Sequence, residues 1–207
     1  MINASQIIFF LLAYFLGSFP TAYLIVKKFA NKDIREEQSK NVGSMNVMRI
    51  TGKVHLFLLS VLGDAGKGAL AVLIPQWLGH GDLSIATASS FGVILGHCYS
   101  IYFKMLDGHF YGGKAQASLI GVLGILNFKY LLLPWASLSI LFVLATQTFF
   151  FGQFMANLLL PLVGYYLVPE YSIASLLMAL PIFIKQWPHF IPALKGARPK
   201  WYFKKKN

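Results

Sequence analysis

The chain has 207 residues, 57% of them hydrophobic and 12% charged, about half of the roughly 25% charged fraction of a soluble domain. Continuous apolar runs near the span length of about 20 residues recur along it, which excludes a sizeable soluble domain and, because the runs do not alternate, an outer-membrane barrel. The net charge of +11 is carried in clusters beside apolar segments, a pattern of membrane topology and anionic headgroups with no soluble module to read a nucleic acid.

The first segment, about Ser5 to Val26, contains the break Gly17-Ser18-Phe19-Pro20-Thr21. Pro20 removes a backbone donor, so a kink is expected there. The segment lacks a basic leader region and a cleavage signal, and reads as a retained span. Seven Lys and Arg residues follow between Lys27 and Lys53. Within that loop, Glu37 to Arg49 is a long polar interval of small hydroxyl residues, glycine, two asparagines and cations. Such a mixture suits an oxyanion, since short side chains admit backbone N–H groups and Lys and Arg bring charge. A second segment, about Val54 to Leu78, carries Gly63-Asp64-Ala65-Gly66-Lys67-Gly68 near its middle, and the cation-free tip Gly79 to Asp82 should face outside. A third runs from about Leu83 to Phe103, before a loop over 104–116. Ala117 to Asn127, Tyr130 to Ala145, Gly152 to Leu167 and Ser172 to Ile184 read as further spans, ahead of a basic tail whose Trp201 to Lys206 has the make-up of an interfacial anchor. The expected fold is all-α, a polytopic integral membrane helical bundle in one domain, 1–207, with about seven transmembrane segments. The N-terminus is expected outside and the C-terminus cytoplasmic.

Charges inside a span are costly and need a reason. Asp64 and Lys67 lie three apart and share a helix face. Either they form an internal pair that fixes packing, or Lys67 helps neutralise an anionic ligand that Asp64 orients. The glycines around them do not make a nucleotide loop, because no Ser or Thr follows the lysine and no glycine precedes it at the required spacing. Gly112-Gly113-Lys114 is a second cationic, backbone-exposing turn, or an ordinary loop. His97 reads first as a buried, hydrogen-bonded histidine. The remaining histidines are scattered without metal-site spacing, and Cys98 is the single cysteine, so neither a thiolate cluster nor a disulfide framework is expected. Phe149 to Phe151 read as lipid-facing or packed. No His is followed five positions later by Asp, so chemistry at this face would need an activated substrate or one carrying its own base.

Taken together, the basic loop, the Asp64–Lys67 turn and the Gly112–Lys114 turn should meet at the cytoplasmic face, where converging cations imply a ligand with phosphate groups. In this order the motifs resemble the bacterial acyl-phosphate:glycerol-3-phosphate acyltransferase family (PlsY-like) over nearly the full length. The residues carrying the resemblance are Gly17 to Thr21, Ser39 to Arg49, Asp64 to Gly68, and Gly96-His97 with Phe110 to Lys114. It implies transfer of a fatty acyl group from acyl phosphate to glycerol 3-phosphate, giving lysophosphatidic acid for phospholipid synthesis in the bacterial inner membrane. It implies no cofactor, no metal and no side-chain catalyst. The partners it implies are the two substrates and membrane lipids. The substrate-binding residues it points to are Ser39, Asn41, Gly43, Ser44, Asn46, Arg49, Asp64, Lys67, His97, Gly112, Gly113 and Lys114.

The sequence departs from the family pattern at several places. Met45 stands where the family usually has Thr, Ser100 where it has Pro, and Ala115 where it has Gly; Met105 to His109 look inserted. In a gapless reading, Gln186, His189 and Arg198 occupy positions of the family's His, Asn and Glu, and Phe150 lies near a family serine. These departures motivate a second expectation, a non-catalytic relative that binds an anionic lipid or phosphorylated ligand.

Overall fold

The computed structural model describes residues 3–195, and among these the chain is helical without strands. The expected tail anchor Trp201 to Lys206, and Arg198, lie outside the described residues. Among the described residues four stretches are long and apolar enough to cross a membrane: Ala4–Ala30, Val54–Trp77, Gln116–Thr146 and Phe149–Leu167; Leu83–Cys98 is a shorter apolar helix. The protein is an integral membrane helical protein. The chain divides between Leu126 and Asn127 into two compact units.

In the first unit, α1 (Ala4–Ser18) opens with a reciprocal cap in which the Asn3 side chain accepts from Gln6 N–H at 2.8 Å and Gln6 Oε1 accepts from Asn3 N–H at 2.8 Å. The helix stops at the Phe19-Pro20 break and resumes as α2 (Thr21–Ala30), so the expected kink is present. The loop beyond α2 is more ordered than its polarity suggests. Ile34 and Val42 are buried with Val47 against Ala22, Ile25, Val26, Leu56 and Phe103, and the polar stretch hangs between these apolar pins. A further correction to the sequence reading is α3 (Ser44–Thr51), a helix inside what reads as a loop. Then come α4 (Val54–Trp77), α5 (Leu83–Cys98), α6 (Ile101–Asp107) and α7 (Gln116–Asn127). The third segment therefore ends at Cys98 rather than Phe103. Tyr99 and Ser100 leave helical geometry, and α6 restarts the chain as a separate turn.

Helices in lipid gain nothing from excluding water, so they associate by close backbone packing at small residues. Two crossings here use that device. A Cβ on Gly96 would run into the Tyr14 carbonyl and one on Gly92 into the Phe10 carbonyl, so α1 and α5 meet backbone to backbone. Gly68 against Ser118 and Gly121 against Ala65 do the same for α4 and α7. Gly96→Leu is expected to separate α1 from α5 and leave no folded protein in detergent, while Gly96→Ala reduces the recovered folded fraction; size-exclusion chromatography of both variants checks this.

The second unit contains a π turn at Phe128–Leu132, then α8 (Leu133–Thr146), α9 (Phe149–Leu167), α10 (Ser172–Gln186) and α11 (Phe190–Leu194). Phe150 and Phe154 pack with Ala193, Phe183 and Phe190, whereas Phe149 is exposed, so the aromatic run has both a packed and an outward side. A polar chain crosses this core: Trp135 Nε1–H donates to Asn157 Oδ1 at 2.9 Å and Asn157 Nδ2–H to Gln186 Oε1 at 3.3 Å.

Candidate functional site

The expected site residues all lie in the first unit. At its centre, Lys67 and Asp64 share one face of α4, and their side chains pair at 2.8 Å while only 6% and 2% of each residue is exposed. Lys67 Nζ also donates to the Phe19 carbonyl at 2.9 Å. That carbonyl ends α1, so the ammonium sits where the helix dipole is negative. The break at Pro20 thus gives Lys67 a ligand inside the protein. Of the two readings of this pair, the geometry favours the internal clip.

His97, at the end of α5, extends the cluster. Its Nδ1 lies 3.0 Å from Ser118 Oγ and 3.8 Å from Asp64 Oδ1. The Gly112-Gly113 turn packs on it: Gly113 N–H donates to the His97 carbonyl at 3.0 Å, and a Cβ on Gly113 would strike both the His97 ring and the Val42 carbonyl. This position admits only glycine, because the loop after α2, the end of α5 and the turn meet there. Gly17, Phe19, Val42, Asp64, Lys67, His97, Ser100, Gly112 and Gly113 line a cleft of about 10 Å³, room for one water.

The remaining expected residues lie apart from the cleft lining. Asn46 is wholly buried; its Nδ2 donates to the Ile34 and Glu37 carbonyls at 3.1 Å each, and its Oδ1 accepts from Ser39 N–H at 3.2 Å. Its amide knots the loop and presents nothing outward. Gly43 caps α3, its carbonyl accepting from Asn46 N–H at 2.8 Å. Asn41 and Ser44 are half-buried, and Ser39 and Arg49 are exposed. Lys114 is half-buried directly after buried Gly113. Met45, 48% exposed, points away from the core.

Backbone strain marks the same loops. Gln38 (φ 50°), Lys40 (φ 55°) and Ala115 (φ 52°) hold left-handed conformations without being glycine, each a cost of roughly 1–2 kcal/mol. They flank Ser39 and follow Lys114. Ala115→Gly is therefore expected to raise stability by about 1 kcal/mol with the turn unchanged, as thermal unfolding in detergent would show.

Three partners escape the sequence reading. Ser118 is buried and meets His97. Ser100 Oγ–H donates to the Ser18 carbonyl at 2.6 Å, tying the base of α6 to the end of α1. Asn157 is a buried polar residue in an apolar span, a signal visible in the sequence by the same rule that singled out Asp64. Beside this region, an apolar groove of about 360 Å³ runs along α1 and α5, lined by Phe10, Leu11, Tyr14, Leu95, Tyr99 and Phe110. Among the described residues no three His, Cys, Asp or Glu side chains come together as a metal site.

The profile of the family described as glycerol-3-phosphate acyltransferase matches residues 7–196. A glycerol-3-phosphate acyltransferase of Coxiella burnetii is 34% identical over 203 residues, covering 94% of this chain and 97% of that protein. Glycerol-3-phosphate acyltransferase 1 of Bacillus cereus is 37% identical over 150 residues, 72% of this chain and 78% of that protein. The crystal structure of PlsY (YgiH), an integral membrane glycerol 3-phosphate acyltransferase, in its glycerol 3-phosphate form, superimposes with a TM-score of 0.81 at 22% identity, covering 96% of both chains. At that identity it speaks for the fold. The sequence relatives and the profile go further, and the chain belongs to the glycerol-3-phosphate acyltransferase family.

Proposed function

We propose that this protein is a membrane acyltransferase that moves a fatty acyl group from acyl phosphate to glycerol 3-phosphate, releasing phosphate and lysophosphatidic acid. The observation that carries this reading is the meeting of the loop after α2 with the Gly112-Gly113 turn over the Asp64–Lys67–His97 cluster. In the same loops Ser39 and Arg49 are exposed and Lys114 is half-buried, open enough for phosphate oxygens to reach. Gly43, Ser44 and Asn41 bring the start of α3, where backbone N–H groups and the helix dipole favour an anion. Asn46, Asp64, Lys67 and His97 act from below, holding the loops in place.

The chemistry follows from these groups. An acyl phosphate is already activated, because phosphate is a good leaving group. The 1-hydroxyl of glycerol 3-phosphate attacks the acyl carbon, a substrate phosphate oxygen takes the proton, and the C–O bond to phosphate breaks. Developing negative charge is met by the Gly112 N–H and by backbone N–H groups at the start of α3, Gly113 N–H being committed to the His97 carbonyl. The groove along α1 and α5 is apolar enough for an acyl chain. No side-chain base or cofactor enters these steps.

The placement of Lys and Arg supports seven crossings with the N-terminus outside and the C-terminus in the cytoplasm of a bacterial inner membrane, and the single profile match over residues 7–196 supports 1–207 working as one domain. Single cysteines at Asn3 and Lys195, probed with an impermeant thiol reagent in intact cells, test this: labelling at Asn3 alone is expected, and labelling at Lys195 contradicts it. The function is tested by complementation. A bacterial strain lacking its own acyl-phosphate acyltransferase should grow when this chain is expressed, and failure to grow with protein present in the membrane contradicts the reading.

A further inference from the structure

Arg35 is the one cation of the basic loop that is bound on every side, and nothing in the proposed chemistry uses it. Its guanidinium lies 5.4 Å from the Tyr23 ring centre, 4.9 Å from Phe103 and 5.1 Å from Tyr111. Tyr23 and Phe103 meet edge-on at 5.4 Å, as do Phe103 and Tyr111 at 6.0 Å, so the rings form three walls of a box. These walls come from α2, α6 and the segment entering the Gly112 turn. Carboxylates complete the enclosure. Arg35 donates to Asp33 at 2.6 Å and also pairs with Asp107, the last residue of α6. Asp33 is held below the usual carboxylate range by this hydrogen-bonded guanidinium, and Arg35 is raised in return.

The position of the box matters more than its strength. Asp107 sits at the tip of an excursion that leaves the core at Ser100 and returns at Tyr111, closed at its base where Ser100 N–H donates to the Tyr111 carbonyl at 2.9 Å. Gly108, in left-handed geometry, turns the chain back. Tyr111 immediately precedes Gly112, and Arg35 is four residues before Ser39. One side chain thus bridges the two loops that carry the proposed phosphate ligands. Its stacking and fork geometry make Arg hard to replace here, since Lys offers a point charge without a plane.

We infer that Arg35, latched through Asp107, is a positioning residue that sets the placement of the Gly112–Lys114 turn against the Ser39–Arg49 loop, and thereby the affinity for the phosphate of the acceptor. This inference rests on the proposed function. A bolt that served folding alone would lower melting temperature without separating KM from kcat. A latch that aligns two halves of a binding site raises the acceptor KM and leaves kcat nearly intact once the site is filled.

The test uses full-length protein in lipid nanodiscs with palmitoyl phosphate and glycerol 3-phosphate. Asp107→Asn is expected to raise the KM for glycerol 3-phosphate about three- to fivefold, the scale of an ion pair exposed on its carboxylate side, with kcat within about twofold and melting unchanged. Asp107→Glu should restore the wild-type KM, and Arg35→Lys should raise it at least as far as Asp107→Asn. Unchanged KM in both Asp107→Asn and Arg35→Lys overturns the latch, as does a joint fall of kcat and melting temperature at constant KM. Trypsin cleavage after Lys104, located by mass spectrometry, reads the latch without turnover. It should be about threefold faster in Asp107→Asn than in wild type, and equal rates overturn the inference. Wild-type protein without turnover but with this cleavage difference sinks the proposed function and leaves the latch standing.

Discussion

Lys114→Ala and Arg49→Ala are each expected to lower kcat/KM by about 100-fold or more while leaving the protein folded. A hydrogen bond to a charged group contributes about 1.5–3 kcal/mol, and a cation that gives two such bonds to phosphate reaches the 2.7 kcal/mol that corresponds to a factor of about 100. The structure explains why folding should survive. Arg49 is exposed on the last turn of α3 and Lys114 is half-buried at a turn that Gly113 anchors through its own N–H. Neither side chain belongs to the buried core, so the packing should stay in place without them. Arg49→Lys should recover part of the activity, because the charge stays while the fork is lost. The check is steady-state phosphate release with melting temperature measured alongside. Wild-type rates in both alanine variants would exclude these residues as phosphate ligands.

The second large effect is on stability. Asp64→Asn leaves the Lys67 ammonium buried beside the Phe19 carbonyl with its counter-charge gone, and Lys67→Met leaves the buried Asp64 carboxylate without its cation, the Phe19 carbonyl keeping only Thr21 N–H as donor. Breaking one partner of a buried pair costs about 3–5 kcal/mol, enough to unfold a marginally stable protein. Asp64→Asn together with Lys67→Met removes both charges, so it should destabilise less than the sum of the single changes. Thermal unfolding in one detergent reports all three variants. Single changes each below about 1 kcal/mol would show that the pair is not the clip that its geometry describes.

These two predictions separate two kinds of residue that look alike in the sequence. Lys67 and Lys114 are both cations beside glycines, yet one is internal and the other lies at the surface of a turn. The difference arises from Pro20, whose break frees the Phe19 carbonyl to face α4, a consequence of tertiary approach that spacing alone does not carry. The membrane-grade apolar helices and the kink at Pro20 were legible, because hydrophobic length and proline act locally. The approach of the basic loop to the Gly112-Gly113 turn was expected from their shared cationic, glycine-bearing character, whereas the place of the His97 ring between them was not. Asn46 was legible as important but not as a knot, since its partners Ile34 and Glu37 are set by how the loop folds back. The Arg35–Asp107 pair joins residues 72 apart in the chain, and no periodicity announces it. The left-handed Gln38, Lys40 and Ala115 were hidden for the opposite reason, because their residue types disfavour the conformation they hold.

Met45 stands where the resemblance to the family leads one to expect Thr. It offers no hydroxyl at an exposed position on the first turn of α3, so under the proposed function a phosphate held there rests on backbone N–H groups and on Arg49. Met45→Thr offers a way to ask how much the missing hydroxyl contributes, within the 1.5–3 kcal/mol typical of a bond to charge.

The most direct measurement is phosphate release from palmitoyl phosphate by the purified protein in nanodiscs. Release that depends on glycerol 3-phosphate and is matched mole for mole by lysophosphatidic acid is the predicted result. No release by demonstrably folded protein, or release that proceeds equally without glycerol 3-phosphate, would contradict the acyltransferase reading.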